Sequence, residues 1–371
     1  MKRLEKDLLI EKAEAVLNRL THLENQEFGD DVDPWKGFAS RDFGIKPWDW
    51  PQGVGLYGME KLQTYYKDKR FDSFFETWVL SNVEEGLPSA NINTTAPYTM
   101  LYALSTRSKD DTYKKMCEER VHWLMKELPK TKEGGFQHVT TDIYDKNGII
   151  LNENQLWVDT LFMAVLFLAK MGVGENNQAW IDEAVYQIML HIKYLYDKET
   201  GLFYHGWTFE NNNNFGGIFW GRGNSWFTYG ILELLEILEN NLPESLKKYI
   251  QNTFTAQVES LEKLQADSGL WHTVLTDKES YQEVSATAAI AAGIYKGIRM
   301  GVLDEKYQEC ADKALLAVID NIEPDGTVIN VSGGTSIGMD ADHYKNIIIG
   351  PMPYGQSMAL LALIEALEFY N

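Results

Sequence analysis

Apolar positions along the 371-residue chain fall into two kinds of helical segment that alternate. One kind keeps its apolar residues on a single stripe at the 3.6-residue period and is charged elsewhere: about 4–20, 71–82, 109–127, 177–196, 244–264 and 303–320. In the first of these, Leu9, Ala13, Val16, Leu17 and Leu20 share one face. The other kind is apolar or small-residue nearly all round: about 53–66, 94–105, 155–169, 224–238, 284–299 and 355–369. A helix apolar on every side belongs inside, and an amphipathic one covers it. The alternation predicts an all-α (α/α)6 toroid, an inner ring of helices wrapped by an outer ring. No Pro/Ser-rich linker divides the chain, so residues 1–371 read as one domain.

The links are unequal. Those from an inner helix to the next outer one are short, such as 172–178 and 240–244. Those from outer to inner are long: 21–52, 83–93, 128–154, 197–223, 265–283 and 321–354. In a two-ring barrel all the long links emerge at one end, and long loops on a rigid scaffold are where binding and catalysis concentrate. Four of them share a short glycine-led stretch, "GGFQHVT" (134–140), "GLFYHGW" (201–207), "GLWHTVL" (269–275) and "GTVINVS" (326–332), which predicts β-hairpins on this rim.

Candidate chemistry gathers on the same rim. Trp35, Trp48, Trp50, Trp207, Trp220 and Trp271 lie in long links, with Trp157 and Trp226 in the first turns of inner helices. His22, His138, His205, His272 and His343 lie in long links too. Indole faces suit sugar C–H surfaces, so the pattern favours a carbohydrate pocket over simple loop packing. The apolar stretch 153–170 carries one carboxylate, Asp159, read as a full turn inside a helix between Trp157 and Phe162. A buried carboxylate without a partner raises its pKa and holds a proton, whereas one at a helix N-terminus is simply stabilised by the dipole. "WGRGNSW" (220–226) sets Arg222 between glycines before an inner helix, a place for an anion or for an internal ion pair. Among carboxylates at inner-helix starts, Glu283 is the nearest candidate for a second catalytic group. "DADHYK" (340–345) matches no standard metal site, and none is expected.

Net charge of −20 disfavours nucleic acid and an anionic membrane surface as partners. The longest apolar run, near 161–169, is too short to span a bilayer. Two cysteines without a CxxC pair, and an N-terminus lacking a signal-peptide core, point to the cytoplasm.

"WDWPQGVGLYGMEKL", "NINTTAP", "NQLWVDTLFMAVLFLAK", "WGRGNSW", "EVSATAAIAAGI" and "MPYGQSMALL" follow one another in the order found in the unsaturated rhamnogalacturonyl hydrolases. From about residue 45 onward the chain resembles that group, family 105 of the glycoside hydrolases, related to the unsaturated glucuronyl hydrolases of family 88. The resemblance implies an enzyme without cofactor that acts after a polysaccharide lyase. It removes a 4,5-unsaturated uronyl residue from a small oligosaccharide by hydrating the vinyl ether: protonation at C4, water at C5, and opening of the hemiketal. It further implies Asp159 as acid and base. Substrate would be held by Trp48, Asn93, His138, Trp157, His205, Trp220, Arg222 and Trp226, with Arg222 clamping the uronate carboxylate. A glucuronyl hydrolase acting on glycosaminoglycan-type disaccharides, a sugar 2-epimerase using paired histidines and a non-catalytic sugar-binding toroid remain alternatives.

Overall fold

The computed structural model of the protein describes residues 4–24 and 43–370. In chain order its first helices are α1 (Lys6–Leu20), α2 (Trp50–Tyr66), α3 (Asp72–Glu84), α4 (Tyr98–Ser105), α5 (Asp111–Lys126), α6 (Leu166–Gly174) and α7 (Gln178–Leu195). There follow α8 (Gly221–Ile237), α9 (Glu244–Leu264), α10 (Val284–Arg299), α11 (Gln308–Asp320), the short α12 (Ala341–Lys345) and α13 (Pro353–Tyr370). Helices α2, α4, α6, α8, α10 and α13 pack each on the next, and α13 returns to α2 to close the ring. Around them α1 covers α13, α5 covers α4, α7 covers α6, α9 covers α8 and α11 covers α10. The result is the expected toroid, and no helix among the described residues is long and apolar enough to cross a membrane.

Local chemistry explains where these helices start. Asp49 caps α2 ahead of Pro51, Asp110 caps α5, and the Asn177 side chain accepts the Trp180 N–H at 3.3 Å to open α7. Within the inner ring, small residues let backbones approach. A Cβ on Gly293 of α10 would stand 2.7 Å from the Thr228 carbonyl oxygen of α8, so only glycine fits that crossing.

The rim strands differ from simple hairpins at the place that matters. β1 (Val139–Thr141) pairs with β2 (Ile149–Leu151), and β5 (Trp271–His272) with β6 (Gln282–Glu283), each within one link. β3 (Gln155–Trp157) instead pairs antiparallel with β4 (Gly206–Thr208), joining two different links. The fourth glycine-led stretch forms only isolated bridges, Ile322 to Val328 and Ser332 to Ile349.

That long-range pairing corrects the expected helix over 155–169. Residues 155–157 give their main-chain groups to β4, and the Val158 N–H donates to the His205 carbonyl at 3.0 Å. The helix therefore begins after Asp159, with Leu161–Val165 wound as a π-helical turn leading into α6. Asp159 stands at the helix entrance, not a turn inside it. Such π-helical turns are frequent at functional sites.

Gly206 is the test of this arrangement. A Cβ there would collide with Ile337 and come within 2.9 Å of the Leu156 carbonyl oxygen. Gly206→Ala is expected to cost about 1–3 kcal/mol of stability, the usual range for overpacking, read from urea midpoints. A variant as stable as the parent would show that the β3–β4 register tolerates a shift.

Candidate active site

Register decides who meets whom. Trp157 lies opposite Gly206, so the residues just beyond, Asp159 and His205, come side by side. His205 Nε2 is 3.4 Å from Asp159 Oδ2, with 2 % of the His205 side chain and 16 % of the Asp159 side chain exposed. Despite the distance the pair lies outside hydrogen-bond geometry, and neither atom has another partner. On its far side, His205 Nδ1 is 2.8 Å from the Tyr344 hydroxyl. His138 stacks on Trp157 at 4.3 Å, with its Nδ1 2.8 Å from the Thr160 hydroxyl, and Trp157 meets His205 edge-on at 5.3 Å. The two histidines thus flank an indole and do not face each other.

The wall continues through aromatic contacts. Trp220 lies 4.3 Å from the His205 ring, and the Arg222 guanidinium sits 4.4 Å over the Trp220 indole. Trp226 packs on Phe162, and Trp50 bridges from Trp226 to Tyr354, stacking on the latter at 4.5 Å. Asn93 is half-buried in a 3₁₀ turn, Asn93–Thr95, that packs on the π-helical turn after Asp159.

Burial pushes the Asp159 carboxyl up, but His205, His138 and the Arg222 charge outweigh it and hold the group below the usual carboxylate range. Burial pushes His205 down against the pull of Asp159, and takes His138 down to about 3. At neutral pH the centre is a carboxylate beside two neutral imidazoles. The expectation that apolar neighbours keep Asp159 protonated is corrected: three nitrogen-bearing side chains surround it.

Three further expectations change. Trp48 does not join this wall. It stacks on Trp78 of α3 at 4.8 Å, donates its indole N–H to the Thr94 carbonyl, and borders a separate cavity of about 710 Å³ with Lys46 and Lys146. The chain turns at Asp49 to enter α2, which sends Trp48 outward and gives Trp50 the place expected of it. The Arg222 fork is anchored to the backbone, each terminal nitrogen donating one hydrogen to a carbonyl, Ser332 (2.7 Å) and Gly333 (2.5 Å), which leaves its remaining N–H groups, the unpartnered Nε among them, to face an anion. Glu283 is a helix cap, accepting the Ser285 and Ala286 N–H groups, and is consumed by that task.

Other rim residues lie elsewhere. The His272 Nδ1 contacts the Ser280 carbonyl, His343 bonds the Thr335 hydroxyl, and His22 ends α1. Trp35 lies outside the described residues. Sequence reasoning missed Tyr344 and Tyr354; both were inside stretches already noted, but nothing in their spacing announced a contact with His205 or Arg222.

Five buried polar atoms of this cluster have no hydrogen-bond partner: Asp159 Oδ2, His205 Nε2, Arg222 Nε, Trp220 Nε1 and Trp226 Nε1. Buried polar groups nearly always find partners, so a concentration of orphans marks this cluster as the candidate ligand site.

The sequence model of Glycosyl Hydrolase Family 88 matches residues 37–370. The chain belongs to that family. It is a glycoside hydrolase. It is 33% identical over 322 residues to the unsaturated rhamnogalacturonyl hydrolase YesR of Bacillus subtilis (strain 168), covering 86% of this chain and 90% of that protein. Among solved structures, a possible member of GH105 from Salmonella enterica serovar Paratyphi A aligns with a TM-score of 0.89 at 36% identity, over 100% of this chain and 96% of that one. The unsaturated glucuronyl hydrolase of Bacillus sp. GL1 shares the fold, with a TM-score of 0.70 at 17% identity over 98% and 97% of the two chains.

The buried histidines make a prediction about acid stability. His138 is held down to about 3 and His191 of α7 down to about 4, both by burial, from an ordinary 6.5. Between those values and 6.5 the unfolded chain binds protons that the folded chain refuses, so stability falls as pH falls through this window. His191→Gln should remove one such proton and flatten the slope of unfolding free energy near pH 5 by about 1.4 kcal/mol per pH unit. Urea midpoints at three pH values measure it; an unchanged slope would mean His191 is already charged in the fold.

Proposed function

We propose that this glycoside hydrolase removes the 4,5-unsaturated galacturonyl residue from the non-reducing end of lyase-generated rhamnogalacturonan oligosaccharides, by hydrating the C4=C5 vinyl ether. The reading joins the kinship with YesR, whose name gives that substrate class, to one observation: the His–Trp cluster is built around Asp159 as its carboxylate. Ordinary glycoside hydrolysis places two carboxyl groups across the scissile bond. Glu283, the other candidate, is committed to capping α10. Vinyl-ether hydration can use one group as acid toward C4 and then as base toward the water that attacks C5. The hemiketal so formed opens and releases the remaining sugar.

Asp159 rests as a carboxylate, so it must acquire the proton it gives. The substrate supplies the reason. A uronate brought into this enclosed site adds a second negative charge, and like charge raises a carboxyl pKa. The proton is taken up as the site fills. Arg222, tied to the 332–333 carbonyls, acts as a fixed charge, while the unpartnered N–H groups of Trp220 and Trp226 remain for substrate oxygens. His138, Trp157 and Asn93 complete the rim around the acid. The whole chain works as one catalytic domain in the cytoplasm, where the buried, unbridged Cys117 and Cys310 stay reduced.

Asp159→Asn keeps the shape and cannot protonate carbon. Turnover, followed as loss of the double bond's ultraviolet absorbance, should fall by roughly 10²–10⁴-fold with substrate binding retained. In heavy water the released keto-acid should carry deuterium at C4. Product without that deuterium would return the enzyme to conventional hydrolysis.

A further inference from the structure

We infer that Tyr344 is a positioning residue for this hydrolysis: its hydroxyl holds His205 as the neutral tautomer with hydrogen on Nε2, aimed at Asp159. The inference rests on the reading of Asp159 as the acid–base group.

The hydrogen-bond chain carries it. The Gly338 N–H donates to the Tyr344 oxygen at 3.1 Å, which occupies one lone pair and leaves the phenolic hydrogen and one further lone pair for His205 Nδ1, 2.8 Å away; the Asp159 carboxylate on the ring's other side decides for the hydrogen. With Nδ1 accepting, the ring hydrogen sits on Nε2, 3.4 Å from Asp159 Oδ2. The opposite tautomer would point a nitrogen lone pair at a carboxylate and is disfavoured on charge alone. Tyr344 is itself fixed. Its ring is fully buried against Trp220, Val274 and Ile347. On one side of it His343 is tied to Thr335 and Ser336, and on the other Lys345 pairs with Asp277.

The consequence is for Asp159. A donor to Nδ1 stabilises the neutral ring and opposes a second proton. A neutral N–H turned toward the carboxylate offers it a dipole without a full charge, whereas an imidazolium at this distance would depress its pKa further and impede the proton uptake that catalysis requires. Charged or titratable groups facing His205 are Asp159 before α6, Arg222 on α8, and His343 and Tyr344 on α12; Asp159 is also faced by His138.

The chain has seven histidines, so nitrogen-15 histidine labelling can resolve His205, assigned by its loss in His205→Gln. Wild type at neutral pH should show a neutral ring protonated at Nε2. Hydrogen on Nδ1 would overturn the proposal without any Tyr344 variant, so the test survives if the variant fails to fold. In Tyr344→Phe, His205 should titrate at higher pH, and the acid limb of kcat/KM should move up with it. The kcat should fall about 10- to 100-fold, the size of effect seen when the partner that orients a metal-bound histidine is lost, with KM little changed. A lower kcat with an unmoved acid limb and an unmoved His205 titration would reduce Tyr344 to a packing residue and overturn the inference. A wild-type chain inert toward unsaturated uronyl disaccharides would overturn the hydrolase reading and Tyr344's part in it. The tautomer, read without substrate, distinguishes that failure from failure of the Tyr344–His205 coupling.

Discussion

Three residues of extended chain, Gln155–Trp157, govern the active end of the barrel. By pairing with Gly206–Thr208 they withhold themselves from the inner helix that their apolar neighbours would otherwise extend. That sets Asp159 at a helix entrance, where backbone N–H groups and the dipole favour negative charge, and brings it against His205. Every inner helix runs the same way, with Trp50, Arg222, Glu283 and Tyr354 in or beside first turns at the mouth. Their N-terminal dipoles therefore converge on the site. This is how a chain of net charge −20 can offer a small region suited to an anionic sugar.

The last long link, 321–354, ties these starts together. Its Ser332 and Gly333 carbonyls hold the Arg222 fork at the start of α8. The Ser332 N–H reaches Glu283, the cap of α10, and the Tyr354 hydroxyl donates to the Ser332 carbonyl from the start of α13. Farther along, Tyr344 reaches His205. One loop thus fixes three inner-helix entrances and the histidine beside Asp159. A substitution there can change catalysis without touching substrate.

The two rings were legible in the sequence because burial writes itself as periodicity: stripes for covering helices, continuous apolar runs for enclosed ones. The helix entrances were less so. Residues 155–157 are as apolar as a helix start, and only a partner some fifty residues away turns them into a strand; tertiary pairing overrides local preference. Asp159, His138, His205 and Trp220 could be picked out as residue types on the rim, and they do meet. Trp48 could not be told from Trp50, since the choice depends on how the chain turns at Asp49. The backbone anchoring of Arg222 was hidden for a different reason. Carbonyl groups are present at every residue and leave no mark in a sequence, so a guanidinium bound to backbone looks free.

A buried charge on an apolar helix is itself an ambiguous signal. The far ends of the inner helices carry several: Glu233 on α8, Lys296 on α10 and Glu365 on α13 are buried, with half-buried Lys61 on α2 and the exposed Glu236 and Arg299 around them. There Lys296 contacts Glu233 and lies 2.6 Å from Glu236, Lys61 is 3.2 Å from Glu233, and Arg299 is 2.7 Å from Glu365. Burial pushes Glu233 up, but Lys296 and Lys61 hold it well below the carboxylate range. Lys296 and Arg299 also stand in the last turn of α10, where the dipole favours cations. This network closes the barrel floor and leaves its charges paired; such pairs add little net stability but would cost much if broken. At the mouth the accounting differs, because the Asp159 oxygen, the His205 nitrogen and two indole N–H groups are buried without partners. Both ends hold buried charge in the same inner helices. What separates a structural end from a reacting one is whether the fold has already supplied the partners.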